Sequence, residues 1–272
     1  MSGPRIRGAQ IRLKTDMELE AMRQSGRIHA RAVARLKEAI APGVSTAALD
    51  RIAEEVIVEA GARPSFKGYQ GFPATICSQV NDCVVHGIPS EDEILREGDI
   101  FGADLGAIWE GWHSDGAFTV AVGEVDEESA RLIEVTRESL ELALAQVRPG
   151  NTIRDIAHAV QSHVEAAGFS VVRALVGHGI GSQMHEPPQV PNFVDDDRCG
   201  TYDVKLAPGM TLAIEPMVNA GGHEVVQDAD GWKVRTRDGS RSAHFEHTVA
   251  VIGEGCWILT AADDADERIG AM

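Results

Sequence analysis

The sequence predicts an α+β domain made of two pseudo-twofold-related helix–helix–strand halves around a central antiparallel sheet. Three observations predict it. Helical apolar spacing and Val/Ile-rich stretches follow one another as helix–helix–strands, twice, along 272 residues. The segment from Pro42 to Gly61 has a counterpart of the same 19-residue span from Pro149 to Gly168. Acidic residues stand at matching places in the two strand regions, inside otherwise apolar sequence. A chain of this length can bury a sizeable core. We divide it into an N-terminal extension at 1–14, a single domain at 15–262 with repeat units of about 15–125 and 126–260, and a frayed tail from Asp263 to Met272.

The elements follow in order. Thr15-x-x-Glu18 is a capping box, and Leu19, Met22, Gly26, Ala30, Val33, Leu36 and Ile40 recur behind it at helical spacing. Pro42-Gly43 ends that run. A second helix runs from Ser45 to Gly61, with Leu49, Ile52, Val56 and Ile57 on one face. Strands follow from about Ala74 to Val122, broken at Gly87 and at Glu110-Gly111. A third helix spans about Glu127 to Val147 and a fourth Thr152 to Gly168; strands then continue from about Val171 to Leu259.

Composition excludes several functions. Net charge is −17, so phosphate backbones and anionic lipid are repelled, and neither nucleic acid nor membrane is an expected partner. No apolar run reaches the roughly 18 residues of a spanning helix. Met1 to Lys14 carries Arg5, Arg7, Arg12 and Lys14 with no apolar stretch behind them, so it reads as a solvated tail and not a secretory signal. Cys77, Cys83, Cys199 and Cys256 form no C-x-x-C pair and read as free thiols.

The repeat extends into the strands. His86-Gly87-Ile88 matches His178-Gly179-Ile180. Gly98 precedes Asp104 by six residues, as Gly209 precedes Glu215. His113-x-Asp115 matches His244-x-Glu246, and each leads into Val-Ala-Val. Asp104, Asp115, Glu215 and Glu246 therefore become candidates for one shared site, because a buried carboxylate needs a partner or a metal. A two-residue hairpin loop at Glu110-Gly111 places Asp104 opposite Ala117, with Asp115 two residues away on the same face. Two such anions repel unless a cation lies between them. Carboxylates with a histidine suit two divalent ions of manganese, iron, cobalt or zinc, which acidify bound water. By the repeat, His86 and His178 are equal candidates to join the acids. His178 stands between two glycines, which implies a tightly turned, approachable backbone.

At these residues the chain resembles type I methionine aminopeptidases of the pita-bread fold. Ser78-Gln79-Val80-Asn81-Asp82 running to His86-Gly87-Ile88-Pro89, Gly177-His178-Gly179-Ile180-Gly181 with His185-Glu186, Ile214-Glu215-Pro216-Met217-Val218-Asn219 and Glu246-His247-Thr248 carry the resemblance, which spans Ile11 to Leu259. It implies that Asp104, Asp115, His178, Glu215 and Glu246 hold the two metal ions, with Asp115 and Glu246 bridging. It assigns His86 to the substrate amine and leaving nitrogen, His185 to the scissile carbonyl, and Glu215 to the proton of the attacking water, a metal-bound hydroxide. Tyr69, Phe72, Cys77 and Trp232 would line the methionine pocket. Departures are Leu105 for a small β-branched residue, Ser114 for Gly, Gly116-Ala117 for Thr-Ser, and Phe66 and Met184 at the pocket rim.

The expected reaction removes methionine from nascent polypeptides whose next residue is small. The expected setting is cytoplasmic, as a monomer, with the ribosome a candidate partner. An Xaa-Pro peptidase or creatinase of the same fold is an alternative, but those relatives usually carry a large domain before the helix–helix–strand unit, which here begins by Thr15. A non-catalytic protein of this fold would lack metal ligands. A type II enzyme would carry a helical insertion for which Cys199 to Gly209 leaves no room.

Overall fold

The computed structural model describes residues 5–6, 9–195, 202–262, 265 and 267–270. Its α-helices are α1 (Asp16–Ala39), α2 (Thr46–Glu59), α3 (Glu127–Leu144) and α4 (Ile153–Ala166), close to the expected limits. Each begins where a side chain can satisfy the free N–H groups of its first turn. Thr15 with Glu18 and Thr152 with Asp155 form capping boxes on α1 and α4, while Ser45 and Asp126 cap α2 and α3.

Helix α1 corrects the expected face. Ala30 and Val33 are only half-buried, and the buried side instead runs through Leu19, Met22, Gly26, Ile28, Ala32 and Leu36 together with Arg23, Ser25 and His29. Apolar periodicity missed those three polar residues because each is buried with a partner. The Arg23 guanidinium donates to the carbonyls of Leu259 at 2.8 Å and Ala261 at 3.1 Å, and Ser25 donates to Ala107 at 2.9 Å. Gly26 touches the sheet directly, since a Cβ there would lie 1.8 Å from the Leu259 carbonyl oxygen.

In the first half, strands Ile76–Val80, Ile100–Trp109 and Trp112–Ala121 pair antiparallel in that order. The Glu110-Gly111 loop has positive φ at both residues, 50° and 85°, the requirement of a type I′ hairpin turn. Asp104 pairs with Ala117 as expected. In the second half, Gly177–Gly179, Thr211–Ile214, His247–Ile252 and Gly255–Ile258 pair antiparallel. Period-two alternation sorts the side chains. Phe101, Ala103, Leu105, Ala107 and Phe118 pack with Ile28, Leu36, Leu49 and Ile57 in one core. Leu212, Ile214, Val249 and Val251 pack with Leu132, Leu140, Ile156 and Val160 in the other. Asp104 and Asp115 fall on the opposite face of the first sheet, away from the helices. Phe245 packs against both cores and marks the seam.

The internal symmetry is visible in backbone contacts. Ser45 bridges to Ile94, and Thr152 bridges to Lys205, each four residues before the glycine, Gly98 or Gly209, that opens a central strand. At the seam, the Glu246 N–H donates to the Ala117 carbonyl at 2.9 Å and the Ala117 N–H to the Glu246 carbonyl at 3.4 Å. Thr119 Oγ1 accepts from the His244 N–H and donates to its carbonyl, both at 2.9 Å. Thr248 Oγ1 treats Asp115 identically, at 2.9 and 2.8 Å. The pseudo-twofold axis therefore relates Ala117 to Glu246, Thr119 to Thr248, and Asp115 to His244. The sequence match of His113-x-Asp115 with His244-x-Glu246 is displaced by two residues. A shift of two leaves every side chain on the same strand face, so the pattern alone could not detect it.

The chain ends also differ from expectation. Ile11 and Lys14 are buried, and Arg12 pairs with Glu18 and lies over the Trp112 ring, so residues 11–14 are docked and not part of a solvated tail; ahead of them Arg5–Ile6 pairs with Ala9–Gln10. Arg268–Gly270, expected to fray, adds an edge strand to Gly255–Trp257. Cys77, Cys83 and Cys256 are buried free thiols; Cys199 lies outside the described residues.

Candidate metal centre and substrate pocket

The acids meet where strands of both halves converge. Asp104 and Asp115 come from the first hairpin. Glu215 follows Thr211–Ile214 and Glu246 precedes His247–Ile252, so both lie just outside their strands. The ladder runs from Ile214 opposite His247 to Met217 opposite His244, which sets Glu215 opposite Glu246 at its one interruption. That break frees both residues from regular pairing.

His178 joins them from the neighbouring strand, where it pairs with Ala213. Its Nδ1–H donates to the Gly179 carbonyl at 2.9 Å, which leaves Nε2 with a lone pair. Nε2 lies 3.6 Å from Glu215 Oε1 and 3.7 Å from Asp115 Oδ2. One ligand atom each of Asp115, His178 and Glu246 lies within 4.8 Å of the others, and all three residues are buried. The backbone here is extended, not turned as the flanking glycines suggested. Those glycines admit neighbouring chain: a Cβ on Gly177 or Gly179 would stand 2.4 Å from the carbonyl oxygen of Ala213 or Pro187. His86 differs, with φ at +60°, a left-handed conformation uncommon outside glycine. The two histidines equated by sequence thus sit on different backbones.

The charges crowded into this cluster call for a cation. Burial pushes the Asp104 carboxyl up to about 7, even though Asp115 hydrogen-bonds to it. Burial, and then their mutual repulsion, hold Asp115, Glu215 and Glu246 well above the ordinary carboxylate range. Asp104 Oδ1 and Glu246 Oε1 are buried without a hydrogen-bond partner. Burial also pushes His178 down to about 4. Orphaned anionic oxygens facing a neutral imidazole are the donor set of a divalent-metal site, and the residues fit such ions.

A cavity of about 160 Å³ opens from the cluster. It brings together every expected site residue: the five around the metal position, His86 and His185, and Tyr69, Phe72, Cys77 and Trp232. Phe72 and Trp232 meet edge-to-face at 5.1 Å, and burial raises the Cys77 thiol well above its usual range, so it stays neutral. Tyr69 Oη lies 2.8 Å from His185 Nδ1, and the His185 ring lies 4.2 Å from that of His178. Gln70 also lines the cavity, as do Phe66 and Met184, which sequence reading had marked only as departures. Gln70 has φ of 49° between Gly68 and Gly71, and that glycine spacing was its only sequence signal.

His113 and His244 each stand two residues before an acid and so share its strand face. His113 Nδ1 lies 3.1 Å from Ser65 Oγ. His244 Nδ1 lies 3.0 Å from Gln79 Nε2, and its Nε2 lies 4.0 Å from Glu246 Oε2.

The fold and this acidic cradle define a metallohydrolase of the pita-bread type. Residues 20–252 match the model of metallopeptidase family M24. A methionine aminopeptidase of Clostridium acetobutylicum is 49% identical over 253 residues, covering 93% of this chain and 100% of that one. The crystal structure of a methionine aminopeptidase from Thermotoga maritima superposes with a TM-score of 0.89 at 43% identity, over 92% of this chain and 99% of that one. A prolidase from Pyrococcus furiosus shares the fold, at a TM-score of 0.74 and 23% identity, over 94% of this chain and 66% of that one. The chain belongs to metallopeptidase family M24 and, within it, to the type I methionine aminopeptidases. Among the described residues, no helix is long and apolar enough to cross a membrane.

Proposed function

We propose that this chain hydrolyses the bond after an N-terminal methionine on polypeptides whose second residue is small. The observation that carries this reading is the junction of two surfaces: a buried acidic cradle opens directly onto an aromatic and sulfur-lined cavity. About 160 Å³ is below the roughly 300–1,000 Å³ of ordinary ligand pockets, which suits a single side chain. A thioether against the Phe72 and Trp232 rings is favourable by about 0.3–1.5 kcal/mol.

Asp104, Asp115, His178, Glu215 and Glu246 would hold two divalent ions, of manganese, iron, cobalt or zinc. When bound, such ions act as Lewis acids and make water a nucleophile near neutral pH. The chain's own groups do the rest. Glu215, whose burial and acidic neighbours make its carboxylate the stronger base, would take the proton of the attacking water. Tyr69 Oη lies within hydrogen-bond distance of His185 Nδ1; with the hydroxyl as donor, the neutral ring would carry its proton on Nε2 and present it to the scissile carbonyl oxygen. His86, kept neutral by burial, receives the substrate amine and later the leaving nitrogen. The cavity accepts the methionine side chain and excludes water from it. We assign the substrate to nascent chains and the setting to the cytoplasm, with the chain acting as a monomer and the ribosome a candidate partner.

Cleavage of a Met-Ala-Ser peptide tests this. Asp104→Ala and Glu246→Ala are expected to abolish it while far-ultraviolet circular dichroism is kept. A chelator is expected to abolish it reversibly, with recovery on adding Mn²⁺, Co²⁺, Fe²⁺ or Zn²⁺. Full activity in either mutant defeats the metal assignment.

A further inference from the structure

The departures at Ser114 and Gly116 have a common cause in α1. On the Trp112–Ala121 strand, Asp115 faces the metal position, so its neighbours Ser114 and Gly116 face the helix. Ser25 and His29, one helical turn apart, meet them there. Ser25 Oγ lies 3.0 Å from Ser114 Oγ, and His29 Nε2 lies 3.1 Å from the Gly116 carbonyl oxygen. Gly116 has no positive φ, so its backbone does not call for glycine. Space does: a Cβ there would lie 2.7 and 2.8 Å from His29 Cε1 and Nε2. The His29 ring occupies the volume that a side chain at position 116 would fill.

Two successive peptide units link this histidine to both expected bridging acids. The Gly116 N–H donates to Asp115 Oδ1 at 3.0 Å. The next peptide is held at its carbonyl by His29 and at its N–H, on Ala117, by the Glu246 carbonyl. His29 is 4% exposed, so in the native packing its ring, and not water, meets the Gly116 carbonyl. A carbonyl accepts, so Nε2 carries the proton.

We infer that His29 is a positioning residue for the metal centre: from behind the sheet it fixes the Gly116–Ala117 peptide and with it Asp115 and Glu246. His29 and Gly116 form a complementary pair. The inference rests on the reading of Asp115 and Glu246 as metal ligands.

The test is Mn²⁺ binding, by titration calorimetry, to the metal-free full chain and its variants. Losing an outer-shell partner typically costs about 10–100-fold in metal affinity. His29→Ala is expected to raise the Mn²⁺ Kd about 10-fold, near the lower end because it acts through backbone. His29→Gln, which keeps an amide donor, is expected to recover part of that loss. Gly116→Ala should weaken binding from the other side by displacing the ring, and it serves if His29→Ala does not fold. Leu36→Ala, a core truncation elsewhere on α1, should lower Tm and leave Kd unchanged. If His29→Ala and Gly116→Ala bind Mn²⁺ as wild type does, while Asp115→Ala loses it, the positioning role is overturned and the metal assignment stands. If wild type itself binds none of Mn²⁺, Co²⁺, Fe²⁺ and Zn²⁺, the metal assignment falls and takes this inference with it.

Discussion

Thr119 and Thr248 form an experiment with its own control. Each is at most 2% exposed, and each makes two hydrogen bonds to the backbone of one residue across the seam. Thr248 holds Asp115, an expected ligand; Thr119 holds His244, which is not one. Valine has the shape of threonine without the hydroxyl. A net hydrogen bond contributes about 0.5–1.5 kcal/mol, so Thr248→Val and Thr119→Val should each cost about 1–3 kcal/mol. The upper end applies where the freed N–H and carbonyl stay buried without a partner. Urea denaturation of the metal-free chain should show similar drops in midpoint with unchanged slopes. Metal binding should separate the two. Thr248→Val should raise the Mn²⁺ Kd by about 10-fold, because Asp115 loses its backbone anchor. Thr119→Val should change it far less, because Glu246 keeps its own pairing with Ala117. Equal shifts in Kd, or full stability in both variants, would refute the account of the seam.

Two further outcomes follow from the same geometry. His185→Ala should lower kcat on Met-Ala-Ser by about 10²–10³-fold, the usual cost of an oxyanion donor, with KM little changed. Tyr69→Phe should do the same more mildly, since it removes only the partner at Nδ1; a change confined to KM would contradict the assigned role. In the metal-free chain, burial pushes His29 and His247 down to about 4. The unfolded chain takes up these protons near pH 6.5 and the folded chain does not. The stability present above pH 6.5 is therefore lost as pH falls toward 4, by up to about 3 kcal/mol for each residue. Urea midpoints at pH 7 and pH 4.5 for wild type and His247→Gln isolate this from the buried carboxyls, whose raised values work in the opposite direction; equal pH dependence in the two proteins would mean that His247 titrates normally in the fold.

Much of this was legible in the sequence because the signals were local. Capping residues announced the helices, and Glu110-Gly111 announced a hairpin whose register followed by counting. Acids embedded in apolar strands announced a site, since a carboxylate there needs a cation. What stayed hidden depends on contacts between distant segments. His86 and His178 share a motif, yet one is left-handed and the other extended, which only neighbouring strands decide. Ser25, His29 and Arg23 looked like breaks in an apolar stripe because their partners lie far along the chain.

The displaced repeat says most about how the centre arose from the fold. True symmetry pairs Asp115 with His244 and Glu246 with Ala117, so the acids do not occupy equivalent positions. A strictly symmetric site would hold like groups on either side of the axis. Here, Asp104 and Glu215 keep equivalent places on their central strands, while Asp115 and Glu246 reach the centre from places two residues apart. The seam tolerates this because an even shift preserves the face. The two halves aim equivalent strand ends at one volume but carry the acid at different positions on them. His244, at the place equivalent to Asp115, lies fully buried beside Glu246 with Nε2 unpartnered. One axis thus sets an anion opposite a neutral ring, so only one of the two equivalent places offers an acidic ligand.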